Sequence, residues 1–544
     1  MRLLHNARIH TFNPQQPSAT ALAIDHGLIL AVGNDAEILS QFESFSWKNN
    51  PITRQDLGGR PLLPGLIDAH IHLQHYSLGL QKVDCETSTQ AECLRRVAER
   101  VRNTPHGEWI LGHGWNQNDW PEGFGTAADL DAIAPHQLVY LTAKSLHAGW
   151  ANTAALHLAG LDRHSADPPG GRLQREESGN LTGILYESAM DLVAQAIPVP
   201  SLEQVAQAIK NAQPQLWGFG LTGVHDFDRQ LCFSALQLLH SRGDLGLRVL
   251  KSIPLEALPQ AVEIGLRSGF GDDFLRIGQV KAFADGALGP RTAAMLQPYE
   301  GEPGNRGMLL LDAEELFERG RLAVENGLPL AVHAIGDAAN HAVLDAFDQL
   351  RQVERQLAST SPEFTTRPGF LRHRIEHVQI IHPGDMPRLA EMDLIASMQP
   401  IHATSDYLMA DRFWGSRAAN SYAWRSLLAL DIKMAFGSDA PVDSPNPFWG
   451  LHAAVTRQRH DGTPGPDGWY PDQRLTVSEA LSSFTVGAAY AAGMETRLGR
   501  LAPGFLADLI VLDTDPFRCE AEKLKDIHPL GTMIAGEWVY STID

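Results

Sequence analysis

Two histidines separated by one apolar residue stand at the end of a hydrophobic run in LLPGLIDAHIHL, residues 62–73. In a β-strand, residues i and i+2 face the same way, so His70 and His72 can reach one ion from the same side. Taken alone, such a pair more often lies in solvent at a strand end. The motif therefore predicts half of a metal site, and the rest of the chain has to supply the other half.

Further imidazole and carboxylate groups follow other hydrophobic runs of the chain. His333 ends LPLAVH, His377 lies in RIEHVQ, and Asp439 lies in AFGSDA. Zinc and similar divalent ions prefer imidazole nitrogen and carboxylate oxygen, and catalytic sites leave one position open for water. Together with the first pair, these residues predict one divalent metal centre.

Lys281, in VKAFADG, needs a separate explanation, because an ammonium group is a poor neighbour for a dication. Burial and adjacent positive charge both favour the neutral amine. A neutral lysine can add carbon dioxide, and the resulting carbamate can bridge two metal ions. The alternative is an ordinary salt bridge between Lys281 and Asp285.

The elements that would position these side chains alternate along the middle of the chain. Strand-like apolar runs are separated by helical stretches, the pattern of βα units around a parallel sheet. In a (β/α)₈ barrel, active sites are built at the C-terminal strand ends, and seven of the eight runs end on or near a His, Asp or Lys. The runs are GLIDAHIH (65–72), GLTGVHD (220–226), LRVLKSI (247–253), RIGQVKAFAD (276–285), LPLAVHAIGD (328–337), RHRIEHVQ (372–379), DLIASMQP (393–400) and IKMAFGSDA (432–440).

Three domains are predicted. Residues 73–219 separate the first barrel run from the second, far more chain than one helix needs, so we expect an inserted α/β subdomain over 77–205. Strand-like runs near both termini, with turns at Gly27 and Gly536, predict one small β domain built from 1–60 and 499–544, since the ends of a domain often lie close together. The barrel itself is expected over 61–498.

Composition excludes several function classes. The chain has 544 residues with a net charge of −20 and no basic block, which argues against nucleic acid or an anionic membrane as a partner. No segment offers the roughly 18 apolar residues of a membrane span, and the N-terminus does not look like a signal peptide. Four scattered cysteines indicate neither a disulfide framework nor a zinc knuckle. We expect a cytoplasmic protein that acts on a small molecule. Whether it forms a homo-oligomer is left open.

Five ordered motifs resemble the amidohydrolase superfamily, and more narrowly its family-3 branch, which includes N-substituted formamide deformylases. The motifs are HIH (70–72), VKAFADGALGPRTA (280–293), VHAIGD (332–337), RIEHVQ (374–379) and GSDAPV (437–442). The resemblance extends to GWNQNDW (114–120) and GRLAPGFLADLIVLD (499–513). It implies an α/β fold: a distorted (β/α)₈ TIM barrel, a small β-sandwich domain formed by both termini, and an α/β subdomain inserted after barrel strand 1.

The resemblance also implies the composition of the site and its reaction. One or two divalent ions, with Zn²⁺ the best match, would be held by His70, His72, Lys281, His333, His377 and Asp439, with carboxylated Lys281 as the bridging ligand. Asp439 would act as general base and then pass the proton to the leaving nitrogen. The expected reaction is hydrolysis of a non-peptide amide-type C–N bond by a metal-activated water, in an N-formyl amine, an N-acyl amine or a cyclic amide.

Two other functions remain open. A one-metal deaminase of the same superfamily would use the HXH pair, a third His and an Asp, with Asp337 as the proton-shuttling acid. That pattern does not require Lys281. A non-catalytic binding protein on a hydrolase barrel is the alternative from another class, because fold does not fix function. It predicts the loss of at least one ligand, and no ligand is missing.

Three residues are candidate substrate contacts. Trp115 lies in GWNQNDW, a segment suited to a pocket lid, although buried aromatics more often belong to the core. His147 lies in AKSLHAGW, where the family commonly has Asp-Gly-His, so the pocket shape beside it is in doubt. Arg291, in GPRTA, could hold a carboxylate or carbonyl group of the substrate, and a surface salt bridge is its alternative.

Overall fold

A computed structural model describes residues 1–43, 52–117, 120–144, 148–360 and 371–543. The chain forms two compact units, one made of residues 1–76 and 209–544 and the other of residues 77–208. The helices Leu73–Gly79 and Leu202–Gly218 contain the two points at which the chain passes from one unit to the other. The predicted domains (1–60 with 499–544, 61–498 and 77–205) are parts of the chain that are expected to fold independently, and their boundaries stay a prediction.

The first unit is built on an eight-stranded sheet whose neighbouring strands are all parallel and follow chain order. A parallel bridge between Ile71 and Ala440 links the first strand to the segment after the eighth, so the barrel is nearly closed. The predicted distorted (β/α)₈ barrel is therefore confirmed. Its strands are β1 (Leu66–Ile71), β2 (Leu221–Asp226), β3 (Arg248–Pro254), β4 (Leu275–Phe283), β5 (Leu330–Ala334), β6 (Arg374–His377), β7 (Ile395–Met398) and β8 (Lys433–Phe436).

The barrel strands are buried along most of their length, and every residue of β1, β2, β6 and β7 is buried. Parallel strands with helices on one face and a packed interior on the other read as continuous apolar runs, which is why their positions could be recognised. The α-helices that follow the strands are Gln230–Arg242, Leu258–Glu263, Ala313–Glu325, Asp337–Thr360, Met386–Glu391, Pro400–Trp414, Trp424–Leu428, Pro447–Thr456, Val477–Ser482 and Ala488–Ala491.

Two smaller sheets of the first unit are made from the two ends of the chain. The four-stranded sheet has the order Leu28–Gly33, Ala21–Asp25, Arg2–His5, Thr53–Asp56, and the helix Asp35–Glu43 follows Leu28–Gly33 in the chain. The six-stranded sheet has the order Glu537–Ser541, Pro529–Ile534, Leu509–Leu512, Pro61–Pro64, Arg8–His10, Ser18–Ala19. One apolar core, which includes Leu4, Leu62 and Leu509, is shared by residues of both sheets.

The second unit contains a six-stranded mixed sheet. Its strand order is Gly171–Arg175, Leu181–Glu187, Ala148–Ala151, Leu138–Ala143, Trp109–Trp115, Val83–Asp84. The predicted strands EWILGHGW and QLVYLTA both form, and they pair in parallel. The α-helices are Gln90–Val101, Ala127–Ile133, Thr153–Leu158 and Ala189–Ala194.

None of the helices in the described part of the chain combines the length and the apolar character that crossing a membrane requires.

An ion pair inside the first unit joins the barrel to the C-terminal strands. The guanidinium of Arg248, on β3, donates to both carboxylate oxygens of Asp508 at 2.5 and 2.8 Å, and both side chains are almost fully buried. Burying two charges is tolerable only when each satisfies the other. The pair is therefore a contact whose loss leaves an uncompensated charge in the core.

We expect Asp508→Ala to lower the free energy of unfolding by about 3–5 kcal/mol, because Arg248 would remain buried without its partner. Glu537→Ala is the matched control. It removes an ion pair to Arg2 whose acid is 81% exposed, and such pairs contribute about 0–1 kcal/mol. Urea unfolding of both variants measures the difference, and equal effects would contradict the role assigned to Asp508.

Candidate metal centre

A cavity of about 480 Å³ opens at the C-terminal ends of the barrel strands in the first unit. The residues predicted as metal ligands all line it, although they come from five different strands or strand ends. They are His70 on β1, His72 directly after β1, Lys281 on β4, His333 on β5, His377 on β6 and Asp439 after β8. The barrel thus brings together six side chains that are as many as 369 positions apart in the sequence (439 − 70).

The imidazoles and the carboxylate lie within reach of a common centre. Nε2 of His70 and Nε2 of His72 lie 3.5 and 3.4 Å from Oδ1 of Asp439. His70, His377 and Asp439 each offer a ligand atom within 4.8 Å of the others. The ring of His333 lies 4.6 Å from that of His377, centroid to centroid. This spacing is close enough for one or two ions to be shared among the donors.

Buried acceptors fix which nitrogen of each imidazole faces the centre. The Nδ1 atom of His70 lies 2.6 Å from Glu376, and that of His377 lies 2.8 Å from the Gln399 side-chain oxygen. Since an acceptor at Nδ1 requires a proton there, the lone pair lies on Nε2. Nε2 of His70 is buried and has no hydrogen-bond partner among the described residues. Such an orphaned acceptor, oriented by a carboxylate on its other nitrogen, fits a metal ligand.

The other two imidazoles, those of His72 and His333, are also oriented by hydrogen-bond acceptors. Nδ1 of His72 lies 3.0 Å from Asp228, which again leaves Nε2 toward Asp439. In His333 the pattern is reversed, because Nε2 lies 3.0 Å from the Gly286 carbonyl and the lone pair is therefore on Nδ1. Four imidazoles and one carboxylate form a nitrogen and oxygen donor set that suits zinc and similar divalent ions.

Burial keeps the histidines in the form that binds metal. It lowers the pKa of His70 to about 3 and that of His333 to about 4, and it lowers the pKa of His377 well below its usual value. Nearby Lys281 acts in the same direction on all three. These imidazoles are neutral at neutral pH, as metal ligation requires.

Two ligand positions have a strained backbone. His377 has a φ of 74° and Asp439 a φ of 59°, both in the left-handed region that non-glycine residues rarely adopt. His377 is the last residue of β6 and Asp439 follows β8, so both lie where the chain turns out of the sheet. Strain of this kind persists only where the surrounding contacts enforce it, and it is concentrated at functional sites.

Lys281 has no carboxylate within ion-pairing distance in the described part of the chain. Its side chain is 4% exposed, and Nζ lies 4.6 Å from the ring centre of Phe227 and 4.9 Å from that of Phe283. Burial lowers the pKa of Lys281 to about 8. Asp285, the alternative salt-bridge partner, instead accepts backbone N–H bonds from Ile335, Gly336 and Ala294.

The other candidate residues have different surroundings. Arg291 forms an ion pair with Glu302 at 2.8 Å and is not among the described residues that line the cavity. Trp115 is buried in the second unit beside Trp120 and donates its indole N–H to the Leu141 carbonyl. His147 lies outside the described residues. The structure thus gives Arg291 and Trp115 structural partners.

Several residues at the site were not singled out in the sequence. Glu376, Asp228 and Gln399 orient three of the imidazoles, and His402 lies with Nε2 3.5 Å from Oδ2 of Asp439. A signal for Glu376 did exist: it alternates with Arg374 in a short strand, and residues i and i+2 of a strand face the same side, which is typical of a charged pair facing a barrel interior. No comparable pattern marks Gln399.

The similarity of this chain to known proteins extends over almost its whole length. The model of the Amidohydrolase family, Amidohydro_3, matches residues 53–540. Protein LONG AFTER FAR-RED 3 of Arabidopsis thaliana is 32% identical over 99% of this chain and 91% of its own length. The N-substituted formamide deformylase of Arthrobacter pascens is 27% identical over 98% of this chain and 97% of its own length.

A solved structure extends the similarity to the fold. The crystal structure of an uncharacterized metal-dependent hydrolase from Pyrococcus furiosus is 28% identical, with a TM-score of 0.77 over 95% of this chain and 100% of that chain. The family match, the barrel and the converging donors are consistent with one another. This chain therefore belongs to the Amidohydrolase family and is a metal-dependent hydrolase that acts on carbon–nitrogen bonds.

Proposed function

We propose that this protein hydrolyses a non-peptide amide-type C–N bond, in an N-formyl amine, an N-acyl amine or a cyclic amide. The observation that carries the proposal is the convergence of four oriented imidazoles, Asp439 and a buried, unpaired lysine on one cavity. Similarity to the N-substituted formamide deformylase of Arthrobacter pascens over almost the full length of both chains supports an amide substrate.

The metal would be held by the histidine and aspartate side chains described above, with Zn²⁺ the best match to the donor set. When bound, such an ion supplies Lewis acidity, which lowers the pKa of water toward 7 and polarises a carbonyl group. The protein contributes the fixed orientation of the ligands, since each Nδ1 proton of His70, His72 and His377 is held by an acceptor. The imidazoles do not need to rearrange when an ion binds.

Asp439 is the proton-carrying group in the proposed reaction. Burial raises its pKa, but His70, His402 and His377 outweigh burial and hold the pKa well below its usual range, so the carboxylate is ionised and able to accept a proton. Its two oxygens face different groups, Oδ1 toward His70 and His72 and Oδ2 toward His402. Asp439 would take a proton from the attacking water and pass it to the leaving nitrogen.

Lys281 is proposed to act as a carbamate that bridges two metal ions. A lysine ammonium in this position would repel the positively charged metal ions, and no described carboxylate lies within ion-pairing distance of it. The lowered pKa makes the neutral amine accessible near neutral pH, and the neutral amine is the form that adds carbon dioxide. The carbamate would replace a repulsive cation by an anionic oxygen ligand.

The one-metal deaminase is less well supported by the surroundings of Asp337. The carboxylate of Asp337 accepts the backbone N–H of Leu296 at 2.8 Å, and Asp337 is not among the described residues that line the cavity. An acid that shuttles protons has to reach the substrate. A hydrolase with Asp439 as the proton carrier therefore agrees better with the site.

The full chain loaded with zinc is expected to hydrolyse members of a panel of N-formyl amines, N-acyl amines and cyclic amides, and removal of the metal with a chelator should abolish turnover. Asp439→Asn should lower kcat by roughly 10²–10⁴-fold, the usual contribution of general acid–base catalysis. Metal analysis of the variant separates lost catalysis from lost metal. Full metal occupancy without turnover of any compound would favour the non-catalytic binding protein.

Substitution of Lys281 by Ala is expected to reduce the bound metal and to lower the rate with the best substrate of the panel. Acetate or propionate in the medium should partly restore both, because a small carboxylate can occupy the position of the carbamate. Lys433→Ala is the control, since Lys433 is a surface lysine, 43% exposed, paired with Asp393. Unchanged metal content and rate in Lys281→Ala would rule out the bridging role.

Glu376→Gln should weaken metal affinity by roughly 10–100-fold, because the carboxylate that orients His70 would be replaced by a neutral amide. Competition with a metal-sensitive chelating dye measures the affinity. Glu315→Gln, which alters an exposed acid paired with Arg319, tests for an effect of charge alone. Wild-type affinity in Glu376→Gln would show that His70 does not depend on this contact.

A further inference from the structure

The walls of the cavity have an unusual distribution of charge and apolar surface. The end of β4 and the segments after β4, β5 and β8 supply the apolar side chains of Phe283, Leu288, Pro290, Ile335 and Val442. Among the described residues that line the cavity, Lys281 is the only lysine or arginine. The proposed function makes Lys281 a metal ligand, so it is not available as an anchor for an acidic substrate.

An acidic wall, consisting of Ser405, Asp406 and Asp443, forms another part of the lining. Ser405 and Asp406 lie on the helix Pro400–Trp414, on the same face as His402, because residues three and four apart are neighbours on a helix. Asp443 lies in the segment after β8. Two carboxylates thus reach the cavity in addition to Asp439.

The two carboxylates of this wall are held in place by different partners. Oδ2 of Asp406 accepts the hydroxyl of Tyr422 at 2.7 Å, and no described residue hydrogen-bonds to its other oxygen. Asp443 accepts a hydrogen bond from the Ser405 hydroxyl at 3.0 Å through Oδ1, and its Oδ2 lies 2.6 Å from Nδ1 of His402. The hydroxyl partner of Asp406 is neutral and leaves the charge of that carboxylate in place. His402 faces both Asp443 and Asp439, and one imidazole carries at most one positive charge, so it cannot neutralise both carboxylates.

His402 does not act as a free cation for an acidic substrate. Its Nδ1 faces Asp443 and its Nε2 faces Asp439, so both ring nitrogens are directed at carboxylates of the protein. A substrate carboxylate at this wall would meet Asp406 and Asp443 as like charges and would find no unoccupied donor on His402. An uncharged or N–H-bearing group would instead find carboxylate oxygens as acceptors.

We propose that Asp406 and Asp443 are specificity-determining residues, which restrict this hydrolase to amides with an apolar substituent and no carboxylate group. The inference rests on the proposed function and narrows it, because acylated amino acids with a free carboxylate are excluded. The apolar side chains accommodate the substituent, and the acidic wall rejects a neighbouring negative charge through unfavourable electrostatics and desolvation.

Three compounds built on the same N-formylphenethylamine core test the proposal. N-formylphenethylamine itself has only hydrogen at the α-carbon. N-formylphenylalanine carries a carboxylate there, and N-formylphenylalaninamide carries a neutral carboxamide of similar size. With the zinc-loaded full chain at pH 8, chosen because burial raises the pKa of Asp406, kcat/KM is expected to be at least 100-fold lower for the acid than for the amide. Values within threefold of each other would overturn the proposal.

Variants test the assignment to the acidic wall. Asp406→Asn keeps an acceptor for Tyr422 and should narrow the difference between the acid and the amide to less than tenfold, and Asp443→Asn should narrow it in the same direction. Asp348→Asn, an exposed acid on the helix Asp337–Thr360, removes the same charge elsewhere and should leave the difference unchanged. An unaltered difference in both folded cavity variants would overturn the role of the two acids.

A binding measurement separates failure of this inference from failure of the proposed function. If none of the three compounds is hydrolysed, the proposal that this protein hydrolyses formamides of this kind is wrong. Calorimetric titration of the zinc-loaded protein still reports the difference in affinity between the amide and the acid. The amide is then expected to bind at least tenfold more tightly than the acid. Equal affinities would overturn the inference whether or not hydrolysis occurs.

Discussion

The buried carboxylate of Glu376 is the group on which the candidate metal centre depends. Burial alone would raise its pKa, but Arg374 and His70 outweigh burial, hold the pKa well below the usual range and keep the group ionised. Arg374 donates to both carboxylate oxygens, and it also bonds the Ala69 carbonyl and the Ser397 hydroxyl. One ion pair on β6 therefore fixes parts of β1 and β7 and sets the orientation of a ligand. Removing either charge would leave the other unpaired in the core.

Closure of the barrel places the first and last ligands together. The backbone N–H of Asp439 donates to the His70 carbonyl at 2.7 Å, and Asp68 accepts from the backbone N–H of His70 and from Ser438. A side chain on Gly437 would come within 2.4 Å of the His70 nitrogen, so only glycine allows this approach. Side chains from the two edges of an open sheet would lie far apart, whereas here the backbones of His70 and Asp439 are hydrogen-bonded to each other. The metal centre is thus a consequence of barrel closure.

The parts of this structure that could be predicted from sequence are those with a local signal. Most barrel strands lie in largely apolar, buried runs, and the motifs around His70 and His377 mark strand ends. Long-range partners had no such signal: Glu376 and His70 are 306 residues apart, and nothing local in either segment specifies the contact. Arg291 and Trp115 illustrate a second limit, since an arginine serves equally in a salt bridge or a binding site and a tryptophan serves equally in a core or a lid. Only the surrounding structure distinguishes the two uses.

The distribution of charge in the barrel interior gives a common reason for its polar residues. Arg374 offsets Glu376, and the imidazoles face Asp439, which leaves the buried amine of Lys281 as the group without an anionic partner among the described residues. Contact with the rings of Phe227 and Phe283 stabilises an ammonium only in part, since cation–π contacts contribute about 0.5–2 kcal/mol. A core selected for stability alone would place an apolar side chain here. The position is instead suited to a lysine that loses its proton readily, which is the chemical condition for the proposed carbamate, and the stability that an apolar side chain would add is given up here.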